Sequence, residues 1–180
     1  MKSSLERTAL LVMDVQPGII DRAKDKAAYL TGIQKIVDAA HAEQVPVFFV
    51  VVGFRPGVPE IAARNKMFSA MNTDILINPL PLVTVSESDL LITKRRVSAF
   101  TGSDLEVLLR AQQIDHLVLT GISTSGVVLS TLREAADKDY QITVLSDLCA
   151  DIDDEVHTVL LQKVFPRQAT VITSEEWINQ

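Results

Sequence analysis

Cys149 is the only cysteine in the 180 residues. No intrachain disulfide can form, and nothing points to an oxidising compartment. Long apolar runs are missing too. The N-terminal "MKSSLERTALLVMDVQ" offers only Ala9–Met13 before Asp14 interrupts it, too short for the apolar core of a signal peptide. No segment reaches the ~20 apolar residues of a membrane helix. Positive charge is scarce: the net charge is −6, and no basic run is longer than Lys94-Arg95-Arg96. These absences argue against nucleic acid and membrane as partners and for a cytoplasmic location. Histidine is limited to His41, His116 and His157.

What remains is a globular composition, 47% hydrophobic and 22% charged, at a length that reads as one domain over residues 1–180. Such a chain can bury roughly 70% of its unfolded surface without disulfide or metal. Ala9–Met13, Val45–Val52, Leu90–Thr93, His116–Thr120 and Gln141–Leu145 read as buried strands, with a sixth at Ala169–Thr173. Most are continuous apolar runs, the pattern of a parallel sheet covered on both faces. Helical spacing falls between them, at Thr31–Gln44, Ser103–Gln113, Thr124–Lys138 and Asp153–Val164. "SDLE" at the second start predicts a capping box between Ser103 and Glu106. Alternating strands and helices predict a doubly wound, three-layer α/β fold around a mostly parallel sheet. The irregular stretch from Gly53 to Glu87 carries most of the prolines and is expected to form a wall of the pocket.

In open α/β sheets, ligands bind beyond the carboxyl ends of the strands. Three polar features fall there: Asp14 after the first strand, Lys94 after the third, and the turn "GISTSG" after the fourth. Each has an ordinary explanation. Asp14 could shape the turn "DVQPG", Lys94 could be a solvated lysine beside Arg95 and Arg96, and Ser123, Thr124 or Ser125 could cap a helix. Their coincidence at one edge favours a site.

Three blocks, "LLVMDVQPGI", "LITKRRVSAFTGSDLEVLLR" and "LVLTGISTSGVVLSTLREAADKDYQITVLSDLCAD", resemble in order and spacing the signature blocks of the isochorismatase-like, or cysteine hydrolase, superfamily. The resemblance runs from about residue 8 to about residue 173 and implies a Rossmann-like, six-stranded doubly wound sheet. It also implies an Asp–Lys–Cys triad in which Asp14 is the aspartate and Lys94 the lysine. The nucleophile position, six residues after the glycine of the third block, is Val127. The resemblance further implies a cis peptide between Ile122 and Ser123, and an oxyanion hole from the backbone N–H groups of Ser123 and Val127. Family members usually form dimers or higher oligomers, so a homo-oligomer acting on a small-molecule substrate is expected.

Valine cannot attack a carbonyl, so the thioester route of the family's amidases is closed at residue 127. Cys149 lies in another segment and reads as a buried apolar thiol. The nicotinamidase branch holds a metal through histidines after the second strand, and no histidine lies between residues 42 and 115. No cofactor or metal is therefore expected. Three functions stay open. One is hydrolysis without a covalent intermediate, as in isochorismatases that lack the cysteine, with Asp14 as acid and Lys94 as its electrostatic partner or the holder of a substrate carboxylate. The second moves the nucleophile to Ser125 or Ser130. The third is a degenerate member that binds a small molecule or serves in an assembly. Gln16, beside Asp14, could orient it, and Phe54, Arg55 and Phe100 could line the pocket.

Overall fold

The computed structural model describes residues 5–71 and 74–180. Six strands, β1 (Thr8–Met13), β2 (Val47–Val52), β3 (Leu90–Lys94), β4 (His116–Ile122), β5 (Gln141–Ala150) and β6 (Thr170–Ile172), form one sheet in the order β3-β2-β1-β4-β5-β6. Every pairing is parallel. The helices are α1 (Lys26–Ala42), α2 (Leu105–Ala111), α3 (Leu129–Asp137), α4 (Asp154–Val159) and α5 (Ser174–Ile178). The order reverses between β1 and β4, and at such a switch point the flanking loops part and leave a crevice.

Both faces of the sheet are buried, which is why the strands read as unbroken apolar runs. Leu10 and Val12 of β1 join Val47, Phe49 and Val118 under α1 and α5, against Ile33, Ile36, Val37 and Trp177. Ala9, Leu11 and Met13 face the other way, joining Phe48, Val50, Leu117 and Leu119 beneath Leu105, Leu109 and Leu132 of α2 and α3. Each such side chain contributes roughly 1.5–3 kcal/mol on burial.

Several boundaries differ from the sequence reading, each for a local reason. Helix α1 starts at Lys26, five residues before Thr31, because the Asp25 carboxylate accepts the N–H of Ala28 at 3.0 Å and so caps the helix there. The capping box expected at Ser103 is not formed. Ser103 Oγ instead donates to the carbonyl of Ala99 at 2.6 Å, and Glu106 is taken by Arg110 and Lys138. A capping box does form at Thr173 and Glu176, opening the short α5 that periodicity alone could not reveal. Thr124–Val128 is a π-helical turn rather than the first turn of an α-helix, a local widening common at functional sites. Among the described residues, no helix is long and apolar enough to cross a membrane.

Candidate active site

Asp14 follows the last residue of β1 with φ 58°. A non-glycine residue enters this left-handed region at a cost, and here its amide is held by a 2.7 Å hydrogen bond to the carbonyl of Val50. Beside it, β1 and β4 approach unusually closely. Gly121 is paired with Met13 and has φ 147°, and a Cβ on it would sit 2.4 Å from the Met13 carbonyl oxygen. Only glycine fits there. The chain then passes through a cis Ile122–Ser123 peptide into the π-helical turn.

Lys94 ends β3, two strands away, and is 2% exposed. Its ammonium lies 3.0 Å from Asp14 Oδ2 and donates to the carbonyls of Arg96 and Val97 at 2.9 and 3.0 Å. Those two carbonyls belong to the turn that "KRRVS" makes immediately after the strand. Arg95 and Arg96, which in sequence suggested a solvated cluster, reach back instead to the carbonyls of Gly53 and Glu60 and tether the long 53–87 loop.

Asp14 and Lys94 line a narrow crevice that opens to solvent, together with Ile19, Arg22, Val52, Met67, Phe68, Met71, Val97, Ile122, Ser123, Gly126 and Val127. Met67, Phe68 and Met71 make the expected wall from the long loop. Asp14 Oδ1 is buried without a hydrogen-bond partner. Burial pushes the Asp14 carboxyl above its ordinary range, while Lys94, Arg22 and the Val52 amide pull it back. The result is a carboxyl group inclined to hold a proton, facing apolar side chains with one oxygen unspent. Ser123 and Val127, whose amides were the expected oxyanion donors, both border the same space.

Five further residues named from the sequence do not line this cavity. Gln16 touches Asp14 through its backbone N–H, which donates to the Asp14 carbonyl at 2.9 Å, and not through its side chain. The side-chain amide brackets Val52, donating to that carbonyl at 3.0 Å and accepting its N–H at 2.9 Å, which joins the ends of β1 and β2. Phe54 packs edge-on against Phe68 at 5.5 Å, behind the wall. Arg55 is exposed and paired with Glu60. Phe100 lies near Tyr140 in the core on the α2 and α3 side. Ser125 is turned to Asp151, whose carboxylate accepts both its hydroxyl at 2.6 Å and its N–H at 2.7 Å. Ser130 does not border the cavity either.

Cys149 lies opposite Gly121 on β5, buried, and burial pushes its thiol up to about 12. The histidines serve other contacts: His41 with Asp89, His116 between Thr8 and Thr143, and His157 with the Thr124 hydroxyl. Among the described residues, no group of three or more His, Cys, Asp or Glu side chains could hold a metal ion.

Arg22 is the residue that sequence reasoning missed. It sits in a helical turn at Ile20–Arg22, half-buried at the cavity, with Nη1 donating to Ser123 Oγ at 2.8 Å. The only signal was its position eight residues after Asp14, on the connection leaving β1.

Residues 8–176 match the model of the isochorismatase domain. The chain is 31% identical to YwoC of Bacillus subtilis strain 168, an uncharacterised isochorismatase family protein, over 97% of this chain and 94% of that one. A probable isochorismatase of Pseudomonas chlororaphis is 30% identical, with 95% and 84% covered. Among solved structures, a cysteine hydrolase from Pseudomonas syringae pv. phaseolicola 1448A superposes with a TM-score of 0.85. It has 26% identity and covers 98% of this chain and 92% of its own.

Proposed function

The chain belongs to the isochorismatase family, and on that premise we propose that it hydrolyses a small molecule without a covalent enzyme intermediate. Asp14 is the acid, Lys94 is its electrostatic partner, and Val127 stands where the family's amidases carry the nucleophilic cysteine. One observation carries this reading. The unpartnered Asp14 Oδ1 is buried beside a cavity that it shares with Lys94 and an aliphatic Val127.

The chemistry that suits such a group is cleavage of an enol ether. Protonated Asp14 gives its proton to the terminal alkene carbon, and the ether carbon becomes an oxocarbenium ion. Water adds its oxygen to that carbon and returns a proton to the Asp14 carboxylate. The hemiketal then collapses to a carbonyl compound and an alcohol. No side chain bonds to substrate at any step, so valine at 127 is no obstacle. Lys94 has all three ammonium protons committed. Its part is to set the charge felt by Asp14 rather than to hold substrate. Ser123 and Val127 border the cavity, and in this reading their amides donate to oxygen that gains charge during collapse.

The test is consumption of isochorismate by the purified protein, beside an authentic isochorismatase in the same buffer. Turnover by the wild type and a loss of about 10²–10⁴-fold in Asp14→Asn is the expected result. An unchanged substrate with the wild type would remove the reaction and leave a small-molecule binder.

A further inference from the structure

The cavity holds two cations, and only one of them is spent. An ammonium has three N–H donors, and those of Lys94 go to Asp14 Oδ2, the Arg96 carbonyl and the Val97 carbonyl. A guanidinium has five donors in a planar fork. Arg22 uses one of them, toward Ser123 Oγ. Among the described residues no carboxylate pairs with it at ion-pair distance, and its charge reaches Asp14 only at longer range. Ile19, Phe68, Met71 and Val127 make the surroundings apolar.

We propose, resting on the hydrolase reading above, that Arg22 is the carboxylate clamp of this site. Its substrates are then small carboxylates. The carboxylate is held by the Arg22 fork at the cavity wall, and the scissile bond lies beside Asp14. Charge supports the assignment. Lys94 has the Asp14 carboxyl at 3.0 Å, whereas among the described residues no carboxylate lies at ion-pair distance from Arg22, so a bound anion supplies a counter-charge that a neutral ligand would not. The Ser123 hydroxyl orients the fork from the far side, linking the clamp to the turn that carries the backbone donors. The clamp also couples to the acid. In the free protein the Arg22 charge lowers the Asp14 pKa against the larger raising effect of burial, and a carboxylate bound on Arg22 offsets that lowering.

Calorimetric titration with benzoate and with its neutral isostere benzamide tests this without requiring turnover. Wild-type protein should bind benzoate at least about tenfold more tightly than benzamide. Arg22→Gln should lose that preference by weakening benzoate alone, and Arg22→Lys, which keeps the charge but not the fork, should fall between them. No benzoate binding by the wild type, equal binding of the two probes, or benzoate binding unchanged in Arg22→Gln would each overturn the clamp. Its fate is separable from that of the reaction. Arg22-dependent benzoate binding in a protein that leaves isochorismate intact keeps the clamp and removes the chemistry. Turnover with the same KM in the wild type and Arg22→Gln does the reverse.

Discussion

Lys94 Nζ lies 3.0 Å from Asp14 Oδ2 although β2 separates their two strands. Neighbouring strands are spaced about 4.8 Å apart, so the two backbones are roughly 10 Å from one another. The length of the lysine side chain closes most of that gap. Because it crosses the sheet edge buried, the ammonium needs its carboxylate and its two carbonyls to offset the loss of water.

Asp14→Asn keeps an acceptor for Lys94 and removes the proton donor. Turnover should fall by about 10²–10⁴-fold with the fold intact. Asp14→Ala leaves Lys94 as an uncompensated buried charge and should also destabilise the protein by about 3–5 kcal/mol. Chemical denaturation of both variants separates the two effects. Equal stability for Asp14→Ala and wild type would show that the pair is not buried as described.

The direction of the Asp14 shift sets a pH dependence. Its folded-state pKa is raised above the ordinary 3.8 by burial, so between those values the folded chain binds more protons than the unfolded one. Stability from this group is therefore complete below the ordinary value and is lost as pH rises through the raised one. Melting temperature against pH should show that decline in the wild type, and Asp14→Asn should flatten it. Activity should fall over the same interval, since the acid form does the work. A limb that rises there instead would make Asp14 a base.

Thiol reagents distinguish the two members of the β4–β5 region. Cys149 is buried with its thiol pushed up to about 12, so iodoacetamide should leave the native wild type active and unmodified by mass spectrometry. Val127→Cys would place a thiol at the cavity that Asp14 and Lys94 line, and alkylation there faster than at Cys149 is expected. Slow alkylation of Val127→Cys would mean that residue 127 does not present its side chain to the cavity.

Gly121→Ala brings a Cβ to 2.4 Å from the Met13 carbonyl at a backbone angle that alanine disfavours. A loss of roughly 2–5 kcal/mol is expected from strain and overpacking together. Met13 precedes Asp14, so turnover at temperatures where the variant stays folded should drop as well. Wild-type melting behaviour in this variant would contradict the close approach of β1 and β4.

Much of this molecule was legible before folding. Ala9–Met13, Val45–Val52 and His116–Thr120 announced central parallel strands, because burial on both faces demands apolar residues at every position. Asp14 and Lys94 stood out because, with the turn "GISTSG", they coincide at the carboxyl ends of the strands, although each alone has an ordinary explanation. The 53–87 segment was legible only as a wall of unknown composition. Phe100, two residues past "RRVS", could by sequence distance have lined the pocket or simply packed in the core. The turn after Lys94 directs its side chain into the opposite core. Ser103 and Glu106 matched a capping pattern, yet stronger partners at Ala99, Arg110 and Lys138 took both.

The amino-acid sequence by itself determined the layered sheet and the presence of a carboxyl at residue 14, an ammonium at 94 and a valine at 127. These follow from side-chain chemistry and periodicity, which are local properties. Only the tertiary structure decided that, among the described residues, Lys94 has no donor left and Arg22 has four, because hydrogen-bond saturation depends on which distant carbonyls and hydroxyls the fold brings within 3 Å.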